Sequence, residues 1–498
     1  MTNSKKAMVP FLALHVDRRS PIPLQRQLFN CLRDAILAGR LAPGVRLPAT
    51  RVLSADLGVS RNTVVGAFDQ LLAEGYLEGK VGSGTYVARQ IPEQLLRVGP
   101  PKTADAGPAG PPLRLSRRGQ YLAGIRVSLN QGVALPRPFR PGLPAFDQFP
   151  RALWTRLAAR LLRRVPAATL TYGDAAGYFP LRQAIAEYLG GARGVICSAG
   201  QVVVTSGTQQ ALDLAARLLL DPGDTAWVED PGYLGARAAL MAAGARCAPV
   251  PVDSQGISVE SGSVRAPNAR LVCVTPLHQY PLGLTMPVAR RMELLAWAGR
   301  RRAWIVEDDY DSEYRYAGRP LAALQGLDPG RVIYTGSFSK VLFPGLRLGY
   351  LVAPAPLVDA FVSARALADR QPPGIEQVVL AEFLAEGHFA RHVRRMRALY
   401  AERQEVLLAA MKAEASGLID ARPAETGLQV VGWLPRGADD RSLSEKAAAS
   451  GIIAPPLTAY AMRARVPPGL ILGYACLAPR QIRDGVRQLV SVLHSGRK

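Results

Sequence analysis

The sequence is poor in cysteine and contains no long hydrophobic run. Its 498 residues include 5 cysteines, which are scattered and never spaced as C-x-x-C. This usage argues against both a disulfide framework and a zinc site, so no metal ligands are expected. A membrane span needs about eighteen consecutive apolar residues, and no such run occurs. The amino-terminal segment lacks an A-x-A cleavage signal, and the chain is expected to be cytoplasmic.

Acidic residues are scarce relative to basic ones. Lys and Arg number 61 against 39 Asp and Glu, which gives a formal net charge of +22, while 48% of the residues are hydrophobic. The length and the apolar content predict at least two folded domains and exclude a disordered chain. A strongly basic chain favours nucleic acid as a partner. The basic excess is spread along the chain, so charge alone supports that partner weakly.

A linker is predicted between two domains. Residues 91–125 are rich in Pro, Gly and Ala and show no helical or strand periodicity, which indicates a flexible connection. One domain is expected at 18–90 and a second at 126–498. The larger part alternates helical stretches with apolar runs at 202–205, 271–275, 304–307 and 332–335. This alternation predicts an α/β domain with a largely parallel sheet.

The smaller part has the pattern of short helices followed by a hairpin. Apolar residues recur at helical spacing over 23–38, and a second short helix at 50–57 ends at Gly58. Ser60 is placed to cap a third helix over 61–74. Two short strands follow at 76–77 and 85–87. The apolar face of the third helix comprises Val64, Val65, Phe68, Leu71 and Leu72.

Two helices separated by a tight turn predict a helix-turn-helix. Arg and Asn at the start of its second helix have the donor and acceptor geometry that reads guanine and adenine. Two arginines near the preceding helix could meet phosphates, and a glycine-rich turn could bring its backbone close to the duplex. A small helical domain with a solvated polar face explains the periodicity equally well. The candidate DNA-binding residues are Arg46, Arg51, Ser60, Arg61, Asn62, Thr63, Gly82 and Gly84.

The amino-acid sequence of this segment resembles the winged helix-turn-helix of GntR-type bacterial regulators. The matching features include Leu57-Gly58-Val59-Ser60-Arg61, Glu74-Gly75-Tyr76 and Gly82-Ser83-Gly84-Thr85. The resemblance implies that Arg51 and the residues from Ser60 to Thr63 face double-stranded DNA. It also implies that Gly82 to Gly84 form the tip of a wing.

Several motifs of the larger part lie where strands are expected to end. Ser337-Phe338-Ser339-Lys340 follows the run at 332–335. A lysine among small hydroxyl residues suits imine formation, because its amine must be desolvated and its neighbours must hold a phosphate. The run at 304–310 ends in carboxylates, and a buried one could keep a heteroaromatic nitrogen protonated. A solvated acidic loop is the alternative interpretation.

Two further segments could hold a flat phosphorylated ligand. Backbone N–H groups and two hydroxyls at 205–210, between a strand and a helix, would form a phosphate cradle. Tyr233, which follows Asp230-Pro231-Gly232, offers an aromatic face for stacking. Each signal alone is weak, because such turns are common and a lone tyrosine more often packs in a core.

In order and content, these motifs resemble the fold-type I aminotransferases, which bind pyridoxal 5′-phosphate. The resemblance implies an internal aldimine at Lys340, with Asp308 on the pyridine nitrogen and Tyr310 on the ring hydroxyl. Tyr233 would stack on the ring, and Tyr172 would reach across a homodimer interface to the neighbouring subunit's phosphate. The residues that would hold the phosphate are Ser206, Gly207, Thr208, Ser337 and Arg347.

Two positions depart from the aminotransferase pattern. Aminotransferases commonly have Asn before the Pro-x-Gly at 281–283, where this chain has Tyr280. They commonly place a carboxylate-binding arginine where this chain has Ile471, although Arg237, Arg315 or Arg319 could substitute. The cofactor site therefore resembles a complete one and the amino-acid site an altered one. At most residual transaminase activity is expected.

The combination of both parts resembles the MocR/GabR transcriptional regulators of the GntR superfamily. Two motifs resemble that family more closely than they resemble ordinary aminotransferases: His278-Gln279-Tyr280-Pro281 and the residues at 307–316. The resemblance implies a dimeric DNA-binding regulator that senses an amine or an amino acid through the Lys340 aldimine. A repressor that responds to pyridoxal phosphate itself and a working aminotransferase with an appended DNA-binding or interaction module are the alternatives.

Overall fold

The chain divides into two compact units, Met1–Arg114 and Leu115–Lys498. The computed structural model describes residues 16–80, 82–91, 114–125, 137–165, 167–316 and 321–495. The amino-terminal residues 1–15, most of the predicted linker and Arg319 lie outside the described residues.

The first unit consists of three helices followed by a two-stranded antiparallel sheet. The helices are α1 (Leu24–Leu37), α2 (Thr50–Leu57) and α3 (Arg61–Ala73), and the strands are β1 (Leu77–Lys80) and β2 (Gly84–Val87). The three predicted helices and the predicted hairpin are thus confirmed, with small shifts of their ends.

The core of the first unit lies between α1 and α3. Leu28 and Leu32 of α1 and Val64 and Phe68 of α3 are buried, and each such side chain stabilises the fold by about 1.5–3 kcal/mol. Leu72 was predicted on the same face but lies at the surface. Consecutive helical residues are rotated by about 100°, so the buried position of its neighbour Leu71 turns Leu72 outward.

The second unit begins with a helix where a flexible linker was predicted. This helix, α4, spans Arg117–Gly124, and Ser116 caps it by accepting a hydrogen bond from the backbone N–H of Gly119 at 2.9 Å. The Arg118 side chain donates to the Ala242 carbonyl oxygen at 2.8 Å. The linker prediction is therefore wrong for these residues, because the cap and the tertiary contact outweigh the low helix propensity of glycine.

An eight-stranded sheet forms the centre of the second unit. Its strands are β3 (Val202–Thr205), β4 (Thr225–Asp230), β5 (Arg246–Asp253), β6 (Gly256–Ile257), β7 (Leu271–Val274), β8 (Trp304–Asp309), β9 (Val332–Ser337) and β10 (Gly349–Val352). Their order is β3-β10-β9-β8-β7-β4-β5-β6. The five strands from β9 to β5 pair in parallel, whereas β10 and β6 are antiparallel to their neighbours. The predicted largely parallel sheet is confirmed.

Helices accompany this sheet and a smaller one near the carboxyl terminus. They are α5 (Arg151–Leu162), α6 (Phe179–Arg193), α7 (Thr208–Leu219), α8 (Leu234–Ala242), α9 (Val259–Arg265), α10 (Val288–Arg301), α11 (Val358–Asp369), α12 (Gly374–Ala385), α13 (His388–Glu414), α14 (Asp440–Ala449) and α15 (Pro479–Ser495). The smaller sheet contains β11 (Asp420–Ala421), β12 (Gln429–Trp433) and β13 (Gly469–Gly473). All residues of β3 and β7 are buried, as expected for strands covered on both faces.

Candidate functional site

The carboxyl end of β8 carries three acidic side chains, and all of them are buried. Glu307 is 0% exposed and Asp308 7%, so these carboxylates do not form a solvated loop. Glu307 accepts hydrogen bonds from the backbone N–H groups of Leu324 and Gln325 at 2.8 and 2.9 Å. Successive strand residues point to opposite faces, and Asp308 accepts from the Thr335 hydroxyl at 3.3 Å.

The register of the sheet brings Asp308 to this donor. Asp308 pairs with Thr335 across the parallel β8–β9 ladder. Burial, followed by the charge of Asp309, raises the pKa of Asp308 to about 7. A cation beside the carboxylate would restore its charged form. The position therefore fits a protonated pyridine nitrogen.

Lys340 lies just beyond the carboxyl end of β9, and its amine points back to an earlier segment. Its Nζ donates a hydrogen bond to the Gly142 carbonyl oxygen at 3.0 Å. Burial lowers the pKa of Lys340, although the charges of Asp311 and Asp308 act in the opposite direction. A lowered pKa increases the fraction of neutral amine, which is the nucleophilic form needed for imine formation.

The turn between β3 and α7 has the features of a phosphate cradle. Gly207 has a φ of 108° and approaches β10 so closely that a Cβ on Gly349 would lie 2.7 Å from its Cα. The Oγ1 atom of Thr208, the first residue of α7, is buried and has no hydrogen-bond partner among the residues that the structure describes. The Arg347 guanidinium lies 3.8 Å from the position of a Cβ on Gly207. An orphaned hydroxyl, a helix amino terminus and a guanidinium together fit a phosphate.

The other two predicted phosphate ligands flank this turn and already have partners. The backbone N–H of Ser206 donates to the Gln210 side chain at 2.8 Å. The Ser337 hydroxyl accepts from the backbone N–H of Ser339 at 3.1 Å. Their phosphate contacts stay a prediction.

Four tyrosines surround the region next to Asp308. The Tyr280 ring lies 5.9 Å from the rings of both Tyr233 and Tyr310, edge to face in each case. Its hydroxyl donates to the Tyr460 hydroxyl at 3.2 Å. Burial, followed by the charge of Asp308, raises the pKa of Tyr233 to about 12. The structure thus brings Tyr233, Tyr310 and Asp308 close together. Their contacts with a cofactor stay a prediction.

Tyr460 is a site residue that the sequence analysis missed. The segment that carries it is attached through Asp230, which accepts hydrogen bonds from the backbone N–H groups of Met462 and Arg463 at 2.6 and 2.8 Å. The backbone N–H of Gly232 donates to the Tyr460 carbonyl oxygen at 3.2 Å. This attachment joins residues more than 200 positions apart, and no local motif marks it.

Tyr172 and Ile471 differ from the core of the site in their surroundings. Tyr172 is 79% exposed, and the Arg370 guanidinium covers its ring at 4.9 Å. Its contact with a second subunit stays a prediction. Ile471 is fully buried in β13, opposite Val431 of β12. The position of the missing arginine is therefore occupied by a core side chain.

The suggested replacement arginines do not share one environment. Arg315 forms an ion pair with Glu425 at 2.7 Å. Arg237 lines a cavity together with Tyr233, Asp308 and Tyr460. Arg237 and Arg315 are the two suggested substitutes for the carboxylate-binding arginine that the structure describes. Of these two, Arg237 borders the candidate cofactor site.

The candidate DNA-binding residues lie on exposed parts of the first unit. Gly58 ends α2 with a φ of 61°, and Ser60 caps α3 by accepting from the backbone N–H of Thr63 at 3.1 Å. The hydroxyls of Ser60 and Thr63 are also hydrogen-bonded to each other at 2.8 Å. This cap leaves Arg61 and Asn62 exposed on the first turn of α3.

The predicted wing is the β1–β2 hairpin. Gly82 lies in its connecting turn and Gly84 begins β2; both are exposed and have φ values of 73° and 116°. Arg46 forms a β-bridge with Tyr86 of β2, so the structure brings this arginine to the wing. Arg51 is exposed on the first turn of α2.

Neither a membrane helix nor a metal cluster is found in the described part of the chain. Its helices are too short or too polar to cross a bilayer. No group of three or more His, Cys, Asp or Glu side chains in that part is arranged to hold a metal ion.

Two family models match separate parts of the chain. The model of bacterial regulatory proteins of the gntR family matches residues 24–87. The model of aminotransferases of class I and II matches residues 154–488. The two matched segments lie in the first and the second unit respectively.

Individual proteins resemble either the whole chain or its second unit. The probable rhizopine catabolism regulatory protein MocR of Rhizobium meliloti is 43% identical, over 96% of this chain and 95% of its own. The HTH-type transcriptional regulator TauR of Rhodobacter capsulatus is 35% identical over 94% and 96%. Among solved structures, LysN, the α-aminoadipate aminotransferase of Thermus thermophilus complexed with N-(5′-phosphopyridoxyl)-L-leucine, is 31% identical with a TM-score of 0.69. That match covers 76% of this chain and 97% of LysN.

Proposed function

Because the chain belongs to the MocR/GabR-type transcriptional regulators, we propose that its second unit binds pyridoxal 5′-phosphate and senses an amine, an amino acid or the cofactor itself. Its first unit is a GntR-type DNA-binding domain. In this proposal, occupancy of the second unit changes the affinity of the first unit for an operator. Binding of the protein to operator DNA also implies a cytoplasmic location.

The observation that carries the proposal is the convergence of three groups that the cofactor needs. Lys340 supplies an amine with a lowered pKa, Asp308 a buried carboxylate, and Thr208 a hydroxyl at a helix amino terminus that has no partner in the described part of the chain. When bound, pyridoxal phosphate supplies an aldehyde that condenses with primary amines and an electron-withdrawing ring. Lys340 would hold the aldehyde carbon, and Asp308 would keep the ring nitrogen protonated.

The remaining site residues would fix the orientation of the ring and its phosphate. Arg347 would neutralise the phosphate charge, and the amino terminus of α7 would bind it through backbone N–H groups. Tyr233 would cover one face of the ring. Further phosphate contacts within the subunit would come from Ser206, Gly207 and Ser337. In a homodimer, Tyr172 of the second copy would also contact this phosphate.

The altered amino-acid site favours a sensor over a metabolic enzyme. An aminotransferase must bind the carboxylate of each substrate, and the position expected for that arginine carries the buried Ile471. A sensor needs only a difference in effector affinity between the two regulatory states. A tenfold difference in that affinity corresponds to about 1.4 kcal/mol of coupling.

The first unit would contact DNA with α3 and the wing. Arg61 and Asn62 are exposed at the start of α3, where side chains of a recognition helix reach base edges. Arg46 and Arg51, together with the backbone around Gly82 and Gly84, would contact phosphates. Ser60 and Thr63 would contribute through the cap that fixes the first turn of α3.

The test is an absorption titration of the full-length protein with pyridoxal phosphate, followed by a panel of amines and amino acids. Binding to its own upstream DNA is measured in parallel at one stated salt concentration. A spectral change that also shifts DNA affinity supports the proposal and identifies the effector class. A response of DNA affinity to pyridoxal phosphate alone selects the cofactor as the signal. Steady turnover to a keto acid with unchanged DNA affinity contradicts the proposal and favours a fused aminotransferase.

A further inference from the structure

A buried histidine and a buried carboxylate lie behind the tyrosine expected at the cofactor ring. The Nδ1 atom of His278 is 2.8 Å from Oδ1 of Asp311 and 3.0 Å from the hydroxyl oxygen of Tyr310. His278 is 3% exposed and Asp311 1%. In the sequence, His278 stands out only as part of a family signature, and no motif marks a role for Asp311.

The partners of Nδ1 determine where the protons lie. A carboxylate can only accept, so the contact with Asp311 places a proton on Nδ1 of His278. The Tyr310 oxygen contacts the same nitrogen and therefore accepts the second branch of a shared hydrogen bond. The proton of the Tyr310 hydroxyl is then free to be donated elsewhere. Burial, followed by the charge of Asp311, holds the pKa of Tyr310 well above its usual value, so this proton is retained.

The ring of His278 is also held in place by its surroundings. It lies nearly parallel to the Tyr310 ring, with an interplanar angle of 26° and a centroid distance of 5.6 Å. A Cβ on Gly427 would lie 2.1 Å from Cε1 of His278, and one on Gly283 would lie 3.4 Å from Nε2. Both glycines have positive φ values. The backbone at both glycines thus leaves space for the imidazole, and the contacts of Nδ1 with Asp311 and Tyr310 set its orientation.

We propose that His278, oriented by Asp311, is a positioning residue that makes Tyr310 a dedicated hydrogen-bond donor to the ring oxygen of bound pyridoxal phosphate. Because the Nδ1–H group of His278 donates to the Tyr310 oxygen, the Tyr310 hydroxyl proton is directed toward the site. The ring oxygen of the cofactor carries negative charge when the ring hydroxyl is ionised, and a fixed donor stabilises that charge. The inference rests on the proposed function, because it concerns how the same site holds its cofactor.

The test compares single and double variants of the full-length protein. The variants are His278→Phe, His278→Asn, His278→Gln, Tyr310→Phe and the double variant His278→Phe/Tyr310→Phe. Two quantities are measured at one fixed pH: the dissociation constant for pyridoxal phosphate and the absorption spectrum of the bound cofactor. Thermal unfolding without cofactor checks that each variant folds.

The two amide variants separate the two ring nitrogens. The amide group of Asn lies at the position of Nδ1, whereas that of Gln reaches the position of Nε2. We expect His278→Asn to retain most of the wild-type affinity and spectrum. We expect His278→Phe and His278→Gln to raise the dissociation constant about tenfold, as for loss of one charge-assisted hydrogen bond, and to shift the spectrum.

The double variant separates positioning from a general structural role. The effect of His278→Phe should disappear when Tyr310 is already Phe, because the two residues act through one hydroxyl. Equal effects in both backgrounds, or equal behaviour of the Asn and Gln variants, would overturn the inference. If His278→Phe does not fold, the comparison of His278→Asn with His278→Gln still tests whether His278 acts through Nδ1. A wild-type protein that shows no cofactor band contradicts the proposed function itself, and the inference with it.

Discussion

Lys340 and Gly142 are 198 positions apart in the sequence and are joined by a hydrogen bond of 3.0 Å from the amine to the carbonyl oxygen. Gly142 has a φ of 71°, and a Cβ at this position would lie 2.8 Å from Nζ of Lys340. The backbone at Gly142 therefore defines where the amine can lie. This contact connects the segment before α5 to the carboxyl end of β9.

Gly142→Ala should weaken pyridoxal phosphate binding, because the added methyl group displaces the amine of Lys340. We expect an increase of about fivefold in the dissociation constant, measured by absorption titration. Gly417→Ala is the matched control, since Gly417 has a φ of 75° and open space around its Cβ position. Both substitutions strain the backbone by about 1 kcal/mol. Equal effects on cofactor binding would show that strain, and not the displaced amine, is responsible.

Lys340→Ala should abolish the absorption band of the bound cofactor while leaving the winged-helix contacts with DNA intact. The reason is that the amine bonded to the aldehyde carbon is lost. Lys412→Ala, on the exposed face of α13, removes a charge of the same type and should change neither property. An unaltered band in the Lys340 variant would exclude this lysine as the attachment point.

The stability of the cofactor-free second unit should fall as the pH rises toward neutrality. Burial raises the pKa values of Glu229, Glu307 and Asp308 to about 7, whereas they are about 4 in an unfolded chain. The folded protein therefore holds protons that the unfolded chain has released, and this stabilisation is lost as the pH rises from about 4 to about 7. For Asp308 alone we expect on the order of 2 kcal/mol between pH 5 and pH 7.

Urea unfolding at several pH values, followed by tryptophan fluorescence, measures this loss. All 5 tryptophans lie in the second unit, so the signal is specific to it. Asp308→Asn cannot titrate and should show a smaller loss of unfolding free energy over the same range. Asp359→Asn, an exposed carboxylate on α11, is the control. Identical pH profiles of wild type and Asp308→Asn would contradict the assigned pKa.

Arg61→Ala and Arg46→Ala should weaken operator binding in different ways. If Arg61 reads a base, its loss costs about 1–3 kcal/mol and relaxes the sequence preference at one position. Arg46 lies beside the wing. Its replacement by Ala should weaken binding to all DNA sequences alike and should reduce the salt dependence of binding by the equivalent of about one phosphate contact. Binding measured against operator and unrelated DNA over a range of salt concentrations separates the two. An unchanged sequence preference in the Arg61 variant would remove its role in base recognition.

Local patterns were sufficient for elements whose own residues determine them. Helical spacing, Ser60 and Gly58 predicted α2 and α3 because the cap and the left-handed end are local features. The short runs at β3 and β9 were visible because buried strands are continuously apolar. Helix α4 could not be predicted from the sequence, because its low helix propensity is offset by a contact with the distant residue Ala242.

The site was predictable to the extent that its residues follow strand ends. Asp308, Tyr233 and Lys340 belong to motifs at such ends, and the structure brings their neighbourhoods together. Gly142 and Tyr460 were missed because long-range hydrogen bonds place them there. The role of Thr208 depends on whether its hydroxyl has a partner, and a sequence does not show this.

If occupancy at Lys340 is coupled to DNA binding, operator affinity must depend on this lysine. Operator affinity is measured for wild type and Lys340→Ala with and without pyridoxal phosphate and the amine or amino acid that changes the wild-type spectrum. Coupling predicts a shift of about tenfold in wild type, equivalent to about 1.4 kcal/mol, and no shift in the variant. The same shift in both proteins, or none in wild type, would contradict it.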